Sequence, residues 1–313
     1  MKKIFRPIVV ATMLLGLVSQ QVYAIDTTAI NEKWGKPTVV YGGGLNGQQI
    51  KETSKLLGIK DENTVTTTKA TGEDLVKYLG AGEANTSVMI SSVMVQKRNK
   101  GEGVKVHIAT PKNITLVTSE QYANAAITAG VADAEIEVAA VSKVTGESAL
   151  TGVYKAFEAN GVVLDGKRTA VAQQELELTN QIAQEQSKEK GFDAAKLDQA
   201  MIDIKKSLAE IKEKQGQVAT KEDVERIVNE ALKKYGLDKV ISPTQVNNII
   251  QFALSYQQTS AIDSKQVLEQ LNSLSNTVKG KIGQLVDQAN REGWLDKIVA
   301  FFKEIFNAIF SSK

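Results

Sequence analysis

The sequence predicts an α+β protein, with an N-terminal mixed-sheet α/β domain followed by an all-helical C-terminal region that ends in an amphipathic helix. Three observations predict it. Between residues 38 and 160, short β-branched runs alternate with helical periods. After Gly166 the strand signal stops, and apolar residues recur at spacings of three and four. The last segment then gathers its large apolar side chains on one helical arc.

The strands read as 38–41, 63–68, 88–98, 103–109 and 134–141. Helix starts lie between them. Asn46 with Gln49, Thr71 before Glu73 and Asp74, and Thr118 with Gln121 each set an N-cap acceptor three residues ahead of a side chain that can answer it. Lys100-Gly101-Glu102-Gly103 reads as a turn folding the third strand back on the fourth as a hairpin. The order is therefore βαβαββαβα.

In the second half Gly191, Gly216, Gly236 and Gly293 punctuate helices, and Thr220 before Asp223 and Ser242-Pro243 with Gln245 start two of them. Leu197, Met201, Ile204, Leu208 and Ile211 form one stripe; Val267, Leu271, Leu274 and Val278 form another. Each is short, so both read as packed faces of a bundle within one chain rather than a long coiled coil.

Composition removes much chemistry. Of 313 residues, 38 are Lys or Arg and 36 are Asp or Glu, with one His and no Cys. Disulfides, thiolate metal sites and a cysteine nucleophile are excluded, and a Ser/His/Asp triad would have to run through His107 alone. Lys2, Lys3 and Arg6 precede an apolar stretch at 8–18, and Val22-Tyr23-Ala24 sets a small residue before the next peptide bond, so a secretory leader cleaved after Ala24 is expected. The apolar stretch falls short of the roughly 20 residues that span a bilayer. Cleavage removes three bases and no acids, leaving 35 bases against 36 acids, a balance that steers nothing to nucleic acid. The expected division is leader 1–24, mixed α/β domain 25–165, helical bundle or hairpins 166–292 and amphipathic helix 293–313. The change of composition near 161–166 predicts first proteolytic cuts between Asn160 and Lys190.

Each candidate site has a plainer reading. Gly42, Gly44 and Gly47 satisfy G-x-G-x-x-G after a strand and before a helix, but the second strand ends Thr66-Thr67-Thr68-Lys69 without the acid a ribose needs, so a flexible turn is expected. His107 alternates with apolar neighbours on the polar face of a strand beside Lys105 and is expected in solvent. Asp133, Glu135 and Glu137 share one side of the last strand but lack a calcium loop, and read as a charged strand face. Ser187-Lys188-Glu189-Lys190 matches S-x-x-K in a run too polar to depress a lysine pKa. No catalytic, cofactor-binding or metal-ligating residue is assigned.

The last helix is different. Trp294, Leu295, Ile298, Val299, Phe301, Phe302, Ile305, Phe306, Ile309 and Phe310 fall within one arc of about 180°. Burial of such a face is worth ~15 to 30 kcal/mol gross at ~1.5 to 3 per side chain, so something must cover it. The cover is the protein's own bundle, a membrane interface or a partner's groove.

The series Asn113-Ile114-Thr115, Tyr122-Ala123-Asn124-Ala125, Thr128-Ala129-Gly130-Val131, Asp133-Ala134, Val138-Ala139-Ala140 and Gly146 with Ala149-Leu150-Thr151-Gly152 resembles the YpuA-like family of predicted secreted Gram-positive proteins, whose domain has no assigned function. The resemblance implies export and an α+β head followed by helices. It carries over no catalytic residue. The expected function is a secreted, non-catalytic protein that binds a protein or other component of the cell envelope. The alternatives are a secreted enzyme with a carboxylate-based site and a membrane-surface protein using its C-terminal helix.

Overall fold

The computed structural model describes residues 25, 27, 34–80 and 82–290. The residues from Trp294 to Phe310, expected as the contact face, lie outside them. Five strands are described: β1 (Thr38–Gly42), β2 (Thr66–Ala70), β3 (Ser92–Lys97), β4 (Val104–Ile108) and β5 (Ala134–Ala139). Four helices accompany them: α1 (Gly47–Leu56), α2 (Gly72–Leu79), α3 (Ser119–Ala129) and α4 (Ser148–Ala159). The chain order is βαβαββαβα, and the three expected capping boxes are made by Asn46, Thr71 and Thr118.

The sheet order is β2-β1-β3-β5-β4, with β1 parallel to β2, β3 antiparallel to both β1 and β5, and β4 parallel to β5. This corrects the expected hairpin. β5 enters between β3 and β4, so the 100–103 turn joins strands that do not pair. Asp133 makes the entry: its φ is +47°, and its Oδ1 accepts the N–H groups of Gly101 and Gly103 at 3.0 Å each. A short polar side chain tolerates that left-handed backbone and turns it to use.

Two other boundaries move for local reasons. β2 begins at Thr66 because Glu62–Thr64 forms a 3₁₀ turn capped by Asp61. β3 begins at Ser92 because Thr86–Val88 forms another, capped by Asn85, and the Met89 carbonyl accepts from Gly44 rather than from a strand.

Five helices follow: α5 (Gly166–Gln186), α6 (Ala194–Gln215), α7 (Lys221–Lys234), α8 (Pro243–Tyr256) and α9 (Lys265–Asn290). α3 and α4 cover one face of the sheet, and α5, α6 and α9 pack over α3. α3 is buried along almost its whole length; Ala123, Ala125, Ala126 and Ala129 let sheet and helices approach it closely. One continuous apolar cluster therefore runs from Val40 and Val93 in the sheet to Leu271 and Val278 in α9. The two predicted stripes meet as the α6–α9 contact. A second, smaller cluster fills the other sheet face with Ile25, Val39, Tyr41, Leu57, Ile59, Val65, Met94 and Ala139.

Candidate functional site

The chemistry-bearing residues collect in two places, the centre of β5 and the junction of α3 with the helical layers. At the first, the register sets Glu137 opposite Met94 of β3 and His107 of β4. Directly opposed residues share a sheet face, so the three side chains lie on the side of the smaller core. β5 is an interior strand, and the Glu137 side chain is 4% exposed. The expected charged strand face is thus corrected: alternation assigns a side chain to a face, but only the covering layer decides whether that face is wet.

Burial pushes the Glu137 carboxyl up to about 7, and the backbone N–H of Ile25 donates to it and pulls the other way. His107 Nδ1 stands 3.6 Å from Glu137 Oε1, beyond direct hydrogen-bond length, and this nitrogen has no hydrogen-bond partner. Desolvation lowers the imidazole pKa. His107 is therefore half-buried over an acid rather than simply in solvent as expected. Two residues away Glu135 is ion-paired with Arg98, while Asp133 is spent on the turn. The three acids of one sequence run thus have three separate roles, and they share no common site. Among the described residues no group of acids and histidine is placed to hold a metal ion.

The first three glycines of the loop have their N–H groups already engaged and offer none to a phosphate. The Gly42, Gly43 and Gly44 N–H groups bond Ser92 Oγ, the Ala70 carbonyl and the Met89 carbonyl, and Asn46 caps Gln48 and Gln49. A Cβ on Gly42 would lie 2.3 Å from the Met89 oxygen. These glycines serve close backbone approach, which corrects the expectation of a flexible turn. Ser187 and Lys190 lie at the exposed α5–α6 turn, where Ser187 Oγ donates to the Gln184 carbonyl.

The second place was not anticipated. Lys205 of α6 is fully buried and its Nζ donates to Glu175 Oε1 at 2.7 Å, Asn124 Oδ1 at 2.6 Å and Thr128 Oγ1 at 2.9 Å. Thr128 in turn donates to Glu175 Oε2 at 2.6 Å, and the ammonium lies 5.7 Å from the Tyr256 ring centroid. Burial lowers the lysine pKa and the Glu175 carboxylate opposes that shift. Arg168 closes the end of α3, donating to the Thr128 and Ile127 carbonyls as a cation at a helix C-terminus should. The network ties α3, α5, α6 and α8 together. Its signal was present: Lys205 follows Met201 by four residues and so sits on the flank of the α6 stripe.

Asp198, near the start of α6, is also enclosed. Thr118 Oγ1 donates to its Oδ2 at 3.1 Å, its Oδ1 has no partner, and burial holds the carboxyl well above the usual carboxylate range.

Similarity to known proteins gives the chain a family but no function. The family model described as a protein of unknown function, DUF1002, matches residues 41–274. An uncharacterized protein, YpuA of Bacillus subtilis (strain 168), is 30% identical over 317 residues, covering 99% of both chains. No solved structure matches. On the family match and the end-to-end similarity together, the chain belongs to the DUF1002 family.

Proposed function

We propose that this chain is an exported protein that acts by binding at the bacterial cell envelope rather than by catalysis. The observation that carries the reading is the position of Ile25. It follows the small residue expected to precede leader cleavage, and it is 5% exposed inside the smaller core. A buried residue at that point supports a mature chain that starts there and uses its first residue in the core. The apolar arc that the sequence predicts for residues 294–310 would supply a surface for contact with a membrane or an envelope component. The similarity to a Bacillus subtilis protein along the whole length fits a Gram-positive setting.

The test is expression of the full chain in a Gram-positive host, followed by fractionation and N-terminal sequencing. A chain starting at Ile25 in the surface or culture fraction is expected. Retention in the cytoplasm with Met1 intact would overturn the reading.

A further inference from the structure

Among the described residues no lysine or arginine pairs with the buried Glu137 carboxyl. On its own strand Glu135 is committed to Arg98; on β4 His107 stands at 3.6 Å with its protonation disfavoured, and the Lys105 side chain reaches the exposed surface. From β3, Met94 and Gln96 share the face and carry no charge. What touches the carboxyl is the main-chain nitrogen of Ile25.

We propose that removal of the leader completes a buried ion pair, in which the new α-ammonium group of Ile25 docks on the Glu137 carboxylate and fixes the mature N-terminus to the centre of the sheet. The inference rests on cleavage after Ala24. A signal peptidase adds water across the Ala24–Ile25 peptide bond; the C–N bond breaks, Ala24 leaves with a carboxylate, and the freed Ile25 amine takes up a proton. A neutral N–H donor becomes a full positive charge at the same place. Ile25 already belongs to the smaller buried cluster that includes Leu57, Ile59, Val65, Met94 and Ala139, and its N–H already donates to Glu137, so its nitrogen is positioned before the charge appears.

The sign of the pH dependence changes with processing. While Ile25 carries an amide, burial holds the Glu137 pKa above its ordinary value, so this group favours the fold at low pH and that contribution is lost as pH rises towards about 7. With the ammonium in place, the carboxyl pKa falls and the amine pKa rises above its ordinary ~8. The pair then stabilises the fold across neutral pH. Its contribution fades as pH falls through the carboxyl pKa or rises through the amine pKa.

Three chains decide it: one beginning at Ile25 and running to Lys313, the same chain with an acetylated Ile25, and the same chain retaining Ala24. At pH 7.5 the free Ile25 chain should melt at least about 5 °C above the other two, since losing one partner of a buried pair is among the costlier single changes. The gap should close near pH 11 and in Glu137→Gln. Acylation of the Ile25 amine should be at least about tenfold slower than in an unfolded control. Equal melting of the acetylated and free chains overturns the ion pair, even where Glu137→Gln fails to fold, because acetylation removes the charge and leaves Glu137 in place. N-terminal sequencing separates the two readings. An Ile25 start without the melting gap overturns the ion pair and leaves export standing. Any other start overturns the cleavage site and this proposal with it.

Discussion

Lys205 Nζ lies 2.7 Å from Glu175 Oε1, and the two side chains are 0% and 1% exposed. The pair stands where the sheet-bearing half of the chain meets the helical half, with Asn124 and Thr128 of α3 completing its hydrogen bonds. Lys205→Met keeps the stem volume and leaves a buried carboxylate alone. It should cost about 3–5 kcal/mol, read as a lower denaturant midpoint, and Lys205→Met with Glu175→Gln should recover part of that loss. A single variant that unfolds at the native midpoint would remove the network from any role in holding the two halves together.

Asp198 gives the opposite sign. Its folded pKa lies well above the ordinary value, so it favours the fold only below about pH 4 and costs stability as pH rises. Asp198→Asn keeps the acceptor for Thr118 Oγ1 and removes the charge. The variant should melt higher than the native protein at pH 7 and equally at pH 3. Parallel melting curves at both pH values would contradict the burial of an ionisable group there.

Gly42 and Gly47 belong to the same sequence motif and should behave differently. A Cβ at Gly42 meets the Met89 carbonyl at 2.3 Å, whereas a Cβ at Gly47 meets nothing within 4 Å. Gly42→Ala should destabilise by more than about 2 kcal/mol through forced backbone movement, and Gly47→Ala should stabilise by about 0.4–1 kcal/mol. Thermal melts of the two variants check this, and equal effects would mean that the loop does not approach Met89 closely.

The shared core predicts one unfolding transition. Trypsin should cut first at Lys188 or Lys190, both exposed in the α5–α6 turn, yet the fragments should stay associated. A chain ending at Asp165 would expose the outer face of α3 and should aggregate or fail to fold. A soluble fragment with a sharp melt would show that the sheet and its own four helices suffice.

Under the envelope-binding reading, deletion of residues 293–313 should leave the melting temperature of the remainder nearly unchanged while abolishing association with vesicles or cells. Phe302→Asp, which sets a charge in the middle of the apolar arc, should weaken association in the same direction. A large drop in melting temperature with association unaffected would assign that helix to the protein's own bundle.

Local chemistry in the sequence determined the elements. Asn46, Thr71, Thr118, Thr220 and Ser242 are all N-caps, because a side-chain acceptor beside the unpaired N–H groups of a helix start needs only nearest neighbours to act. The fold class, the element order and the apolar faces of α6 and α9 follow from periodicities of the same short range. Strand neighbours do not. The turn after Lys97 read as a hairpin because sequence proximity favours one, yet β5, some thirty residues later, takes the place between β3 and β4 through Asp133. The fates of Glu135 and Glu137 were equally hidden, since both share a face and differ only in what covers them: an arginine for one, the main chain of Ile25 for the other. Lys205 showed its position on the α6 flank, but its buried partner lies thirty residues earlier on a different helix. Pairing of distant segments and the depth of the layer above a side chain are properties of the packed chain, and there tertiary structure alone decided the chemistry.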